Sequence, residues 1–265
     1  MLLALGFSVA PQWGWTSLPT LGTFLGAVLL LAGFLWNESR VRAPLIPLSI
    51  FRIRNVSGAN LMMVPLYAAM LGMFFLITLY LQGALHLSPL MTGLSFLPFP
   101  VILGFVSTRM PKLVGRYGFR RFLIMGPALV ALAYLWLVRL PEHGTYLFDI
   151  LPALLIMPIG MGMSIMPTIA AGTSGVPSHE AGLASGLIST AQQMGGALGL
   201  SVLTGIAAST VGPAVLGYHA AFSVGIGFLL AAVAVAVFVI HTPKKEAEEE
   251  HLPGRVDASK LALGH

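Results

Sequence analysis

Residues 182–201 read GLASGLISTAQQMGGALGLS, with five glycines, four hydroxyl residues, two adjacent glutamines and no charge. The stretch is about as long as a membrane span, since about 20 residues at 1.5 Å each cross a hydrocarbon core of about 30 Å. On a helical wheel Gly182, Ser185, Gly186, Ser189, Gln193 and Gly196 fall on one stripe about 100° wide, with Gln192 and Gly199 at its edge. Leu187, Ala191, Met194 and Leu198 lie opposite and suit lipid or an apolar neighbour. Small residues let two helices approach, and hydroxyl and amide groups then bond across the contact. The pattern therefore predicts that Gly182, Gly186, Ser189 and Gly196 pack against another helix. The glutamines have two readings: bonds between helices, or, for Gln192 above all, a polar cavity wall that touches substrate.

The surroundings make this a membrane helix. Of 265 residues 57% are hydrophobic and only 9% charged, and the mean hydropathy is +0.89. A soluble domain carries about a quarter charged residues. The composition predicts a multi-pass protein of the cell membrane, with the lipid bilayer as its first partner. Cysteine is absent, which excludes disulfides, thiolate metal sites and cysteine nucleophiles. The net charge of +5 is not interleaved with aromatics as a nucleic-acid surface would be, and it reads as basic loops. The opening MLLALGFSVA lacks a basic n-region and is too short to span, so it reads as the end of a helix whose beginning is missing.

Seven complete apolar segments follow, at 19–36, 57–82, 90–110, 122–140, 148–170, 184–207 and 219–240. They are too long for barrel strands and do not alternate, so the expected fold is an all-α membrane protein, a polytopic helical bundle. With seven spans, thirteen of the fourteen Lys and Arg residues fall on one side: Arg40, Arg42, Arg52, Arg54, Arg109, Lys112, Arg116, Arg120, Arg121, Lys244, Lys245, Arg255 and Lys260. Arg139 alone falls on the other. The positive-inside rule then places the C-terminus in the cytoplasm. The charged segment from 242 to 265 reads as a disordered tail, and 38–56, which mixes basic and apolar residues with prolines, reads as an interfacial connector.

The middle of every span lacks Asp, Glu, Lys, Arg and His. Without a lysine in the last span there is no retinal Schiff base, and without a buried carboxylate or histidine pair there is no intramembrane hydrolase chemistry. The chain is not expected to be an enzyme or to hold a metal or cofactor. What the spans do contain is glycine, proline and uncharged polar residues. Within 148–170, Pro152, Pro158 and Pro167 kink the helix, Gly160 and Gly162 admit a neighbour, and Met157, Met161, Met163 and Met166 fill gaps or offer an adaptable apolar surface.

GLASGLISTAQQMGGALGLSVL at 182–203 resembles the thirteenth-helix signature of the fourteen-span drug–proton antiporters (EmrB/QacA type) of the major facilitator superfamily. PQWGW at 11–15, RAPLIPLSIFRIRN at 42–55, LYLQ at 79–82 and GMGMSIMP at 160–167 keep that family's order. The resemblance covers residues 1–241. It implies that the chain is the C-terminal half of such a protein, with a missing N-terminal half as its partner. Residues 1–56 would be the end of a truncated helix, one linker-type span and a connector. Residues 57–241 would be the C-terminal six-helix lobe, built from two inverted three-helix repeats. The implied function is export of small amphipathic molecules by alternating access, driven by the proton gradient and without a bound cofactor. The cavity candidates are Gln192, Gln193, Asn60, Gln82, Met157 and Met161. KLVGRYGFRRFL at 112–123 resembles the family's cytoplasmic-loop motif through Arg116, Gly118, Arg120 and Arg121, while Gly115 stands where the motif has Asp. Two alternatives stay open: a metabolite or antibiotic exporter of the same fold, and a seven-span receptor or scaffold, which would have no need of the helix end at 1–10.

Overall fold

The computed structural model describes residues 5–6, 14, 16–41, 48–177 and 180–240. The expected tail at 242–265, most of the helix end at 1–10 and Arg42 of the connector lie outside the described residues. Regular structure among those residues is helical throughout: α1 (Leu18–Arg40), α2 (Arg54–Gly83), α3 (Pro89–Ser95), α4 (Pro98–Tyr117), α5 (Phe119–Leu137), α6 (Leu151–Thr173), α7 (Ala181–Ser209) and α8 (Ala214–Phe238). A 3₁₀ turn, Leu48–Arg52, precedes α2, and a π turn, Tyr146–Ile150, leads into α6.

Local chemistry sets the boundaries. Ser17 caps α1 by accepting from the Thr20 N–H, and Ser88 caps α3 by accepting from the Met91 N–H at 3.3 Å. The single segment expected at 90–110 is two helices. Phe96 and Leu97 close short turns on the Gly93 and Leu94 carbonyls, and Pro98 and Pro100 bring no N–H to bridge the gap. Gly118 joins α4 to α5 as a single residue at φ 75°, a conformation that favours glycine. At the start of α6 the Asp149 carboxylate accepts from the Thr145 N–H at 2.6 Å.

Among the described residues six segments are long and apolar enough to cross a membrane: α1, α2, α3 with α4, α5, the π turn with α6, and α8. The seventh expected span, α7, is not among them on composition, because its glycines, hydroxyls and glutamines dilute the apolar residues. It is nevertheless 29 residues long, about 43 Å of helix, and lies inside the bundle. The chain is a helical membrane bundle.

Its centre is α2, which packs along α7 and also against α8 and α6. α6 in turn lies between α5 and α4, and α8 touches α5 and α7. α1 makes no substantial contact with the other described helices, and its side chains are mostly exposed. Lipid tails are as apolar as leucine, so such a bundle is held by close packing and bonds between helices rather than by escape from water. The packing is visible at the crossings. Gly195 and Gly199 of α7 lie on the α2 backbone at Val64 and Ala68, and Gly126 of α5 meets Gly160 of α6 backbone to backbone. Tyr134 of α5 is fully buried, donates its hydroxyl to the Ala69 carbonyl of α2, and stacks edge-on against Phe222 of α8 at 5.6 Å.

Two ends of the bundle are tied by polar groups. At the arginine-rich end Arg54 donates to the Val239 and Phe238 carbonyls at 3.1 and 2.9 Å, and Arg120 donates to Val237 at 3.1 Å. Val237 and Phe238 stand in the last turn of α8 and Val239 is its C-cap, where carbonyls lie beyond the helix's own hydrogen-bond ladder and cations suit the helix dipole. At the opposite end Tyr80 donates to the Pro141 carbonyl at 2.7 Å, and His219 is 2.7 Å from the Leu140 carbonyl. Among the described residues no buried side-chain nitrogen or oxygen lacks a hydrogen-bond partner.

Candidate functional site

The two faces of α7 define the site. Its packed face runs through Ala184, Ile188, Ala191, Gly195, Gly196, Gly199 and Leu203, all buried. Its open face carries Gly182, Ser185, Gly186, Ser189, Thr190, Gln193 and Ala197, all exposed. The polar stripe legible in the sequence is therefore largely the open face and not the contact. A Cβ added at Gly182 or Gly186 would meet nothing within 4 Å, and Ser189 is exposed. Of the four residues expected to pack, only Gly196 does so, against the Leu71 side chain. The contact with α2 is shifted round the helix to Gly195 and Gly199, because only there does the neighbouring backbone come close enough to exclude a side chain.

The hydroxyls on the open face are satisfied within the helix. Ser185, Ser189 and Thr190 donate to the carbonyls of Ala181, Ser185 and Gly186 at 3.0, 3.1 and 2.9 Å. Their donors are spent, while their oxygens can still accept. This arrangement is stable in a low-dielectric medium and leaves a row of acceptors available to a ligand.

The glutamines divide between the two faces. Gln192 is half-buried and donates to the Met63 Sδ of α2 at 3.7 Å, so it bonds across the helix contact. Gln193 is exposed and makes no side-chain hydrogen bond among the described residues. It brings two donors and an acceptor to the open face. Asn60 is half-buried, lies one turn before Met63 on α2, and donates to the Val56 carbonyl at 2.9 Å. These three amides lie at one level, because Gly195 meets Val64 and Gly199 meets Ala68 in a parallel register. Gln82 is exposed, but 22 residues of helix, about 33 Å, separate it from Asn60, so it belongs to another level. Met157 and Met161 are wholly buried in the core, where they fill space; of the four methionines named on that helix, only Met166 is exposed.

The loop-motif residues sit at the α4–α5 junction. The Arg116 guanidinium lies 5.2 Å over the Tyr117 ring, Gly118 makes the turn, Arg120 reaches α8, and Arg121 is exposed. No group of three or more His, Asp or Glu residues among the described residues is placed to hold a metal ion.

Sequence reasoning missed two features. One is the fastening of α8 by Arg54, which reads in the sequence only as a basic loop residue, and by Arg120, which reads there as part of the loop motif with no partner on α8. The other is an open apolar groove of about 730 Å³ at the break between α3 and α4, lined by Leu87, Met91, Leu94, Leu97, Val101 and Tyr146. It is bounded by a bond from the Tyr146 hydroxyl to the Ser95 carbonyl at 2.8 Å. No motif marks it, since it depends on where two helices part.

Comparison with known proteins places this geometry in context. A family model described as Major Facilitator Superfamily matches residues 1–200. The puromycin resistance protein pur8 of Streptomyces alboniger is 32% identical, over 94% of this chain and 53% of that protein. The cephamycin export protein CmcT of Amycolatopsis lactamdurans is 36% identical, over 98% of this chain and 54% of its own length. The tetracenomycin C resistance and export protein of Streptomyces glaucescens is 34% identical, over 79% of this chain and 39% of its own. The chain spans about half the length of the curated relatives it matches most fully.

Proposed function

The chain belongs to the major facilitator superfamily, and from that membership we propose that it forms the C-terminal half of an exporter of small amphipathic molecules, of the fourteen-span drug–proton antiporter type. The observation that carries the reading is the open polar face of α7. A row of Ser185, Ser189, Thr190 and Gln193 left uncovered on a membrane helix calls for a polar neighbour or an aqueous cavity. In this reading it is the wall that faces the other lobe, and substrate binds there without covalent chemistry as the lobes rock. Acceptors spaced along an otherwise small-residue face suit ligands with a few donor groups on an apolar body. Relatives named for export of, or resistance to, puromycin, cephamycin and tetracenomycin C support an antibiotic-like substrate.

Proton coupling needs a carboxylate whose pKa burial raises toward neutral. Among the described residues Glu142 and Asp149 lie at one end of the bundle and Glu38 and Glu180 near the other, so none stands mid-span. We therefore assign the coupling residue to the other lobe. The test is dye accumulation in a pump-deficient host. Residues 1–265 alone are expected to give no efflux, and co-expression with a matching first half is expected to give efflux that an uncoupler abolishes. Uncoupler-sensitive efflux by this chain alone would sink the proposal and point to a dimer of halves.

The reading also fixes sidedness. A tag after His265 is expected to be protected in intact cells, and one inserted within 141–146 to be accessible, given thirteen basic residues on one side against Arg139 on the other. An accessible C-terminal tag would overturn the topology and the half-transporter assignment together.

A further inference from the structure

Of the 20 residues of α4 only Phe99 and Met110 are buried, and its main neighbour is α6. At about 100° per residue Val101, Phe105, Arg109, Lys112 and Arg116 fall within an arc about 80° wide, and all five are exposed. Val101 is 69% exposed and Phe105 62%. One face of the helix is thus apolar in its first half and carries three cations in its second. No Asp or Glu occurs from residue 39 to residue 141, so no nearby stretch of the chain offsets these charges.

Arg109 stands about 12 Å of helix before Tyr117, the last residue of α4. Its guanidinium lies 4.9 Å over the Phe105 ring, and that of Arg116 lies 5.2 Å over the Tyr117 ring. None of the three cations has a hydrogen bond or ion pair with a described residue. A cation at that depth on an open face of a membrane helix is costly until an anion joins it. The apolar half of the face matches what such an anion would bring. One leaflet is about 15 Å of the hydrocarbon core, or about ten residues of helix, which leads from Lys112 back to Ile102. Val101 and Ile102 line the apolar groove at the α3–α4 break.

We propose that this face of α4 binds an anionic phospholipid from the leaflet at the arginine-rich end of the bundle. Its phosphate lies among Arg109, Lys112 and Arg116, and one acyl chain runs along Phe105 and Val101 to the groove. Arginine presents a forked pair of donors to a phosphate and lysine a point charge, and basic groups near a bilayer surface attract headgroups of net negative charge. The inference stands on charge and helix geometry and does not depend on the transport reading.

The absence of cysteine allows a direct test. Gly104→Cys gives a single labelling position beside Phe105, where an added Cβ meets nothing within 4 Å. The whole chain, labelled there with bimane, is placed in nanodiscs of phosphatidylcholine and phosphatidylglycerol in equal parts. Brominated acyl chains, carried on one lipid and then on the other, report by quenching which of them lies at the label. The relative affinity for phosphatidylglycerol is expected to be at least about fivefold, the factor that one basic side chain near a charged surface supplies. Changing Arg109, Lys112 and Arg116 together to Gln is expected to abolish the preference. Changing Arg40, Arg52 and Arg121 to Gln removes the same charge from exposed positions off this face and is expected to leave it intact. Equal affinities in the unaltered chain, or a preference that survives the first triple change, would overturn the site. Loss of the preference in the second triple variant would overturn it by showing a general surface potential. Quenching by neither lipid would overturn it too, by showing the face covered by a second copy of the chain.

Discussion

Replacing Gly199 by alanine is expected to lower the melting temperature in detergent by about 6–12 °C, while Gly186→Ala shifts it by no more than about 1 °C. A Cβ on Gly199 would fall well inside 3.0 Å of the Ala68 backbone, and one on Gly195 equally close to Val64. Backbone cannot rotate away as a side-chain tip can, so α2 and α7 must separate. The contact continues through Gly196 on Leu71 and Gly72 on Leu203, so separation at one point loosens the others. Overpacking of this kind costs about 3 kcal/mol, and each kcal/mol is worth about 2–4 °C in a chain of this size. At Gly186 the added methyl meets nothing and slightly favours helix. Intrinsic fluorescence of the four tryptophans follows the transition without labelling. Equal losses at the two positions would show that the packed face of α7 is not the one described.

The second expected result is the converse, lost activity with an intact fold. Ser189→Phe and Gln193→Trp, in the chain paired with its first half, are expected to cut export at least about tenfold, or 1.4 kcal/mol. Melting of the chain itself should stay within about 2 °C, since surface changes away from packed features alter stability little. Neither wild-type side chain bonds to another described helix: Ser189 donates to Ser185, and Gln193 is open. A ring at either site would instead fill the space in front of α7, where the substrate and the facing lobe are proposed to lie. Gln192→Leu is the control, because it removes the bond to Met63 and should reduce stability by about 0.6 kcal/mol. Full export by both aromatic variants would mean that the open face looks into lipid.

Ser189 and Gln193 share one stripe of the helical wheel with Gly182 and Gly186, and in the structure all four lie on the open face of α7. The stripe's role differs from the expectation at Gly182, Gly186 and Ser189, which stay open, while Gly196 packs on Leu71 as expected and the closest backbone approach to α2 is at Gly195 and Gly199. The methionines show the same limit: Met157 and Met161 are as apolar as Met166, but only packing leaves Met166 exposed and the other two buried. The break at Phe96–Leu97 was legible in principle from Pro98 and Pro100, yet hydropathy alone runs across it without a change.

Composition and apolar run length by themselves determined that this chain is a helical membrane bundle, because transfer into hydrocarbon is a sum over residues and needs no knowledge of neighbours. The family likeness was likewise carried by order and spacing along the chain. Only the tertiary structure decided which face of α7 packs and which stays open. Periodicity fixes the angle between residues on one helix but not the rotation of that helix against another. Glycines stand on both sides of α7, at 182 and 186 and at 195 and 199, so the wheel had no means of choosing between them. The choice follows from close approach of one backbone to another, a contact between residues some 130 positions apart in the chain, Val64 with Gly195 and Ala68 with Gly199.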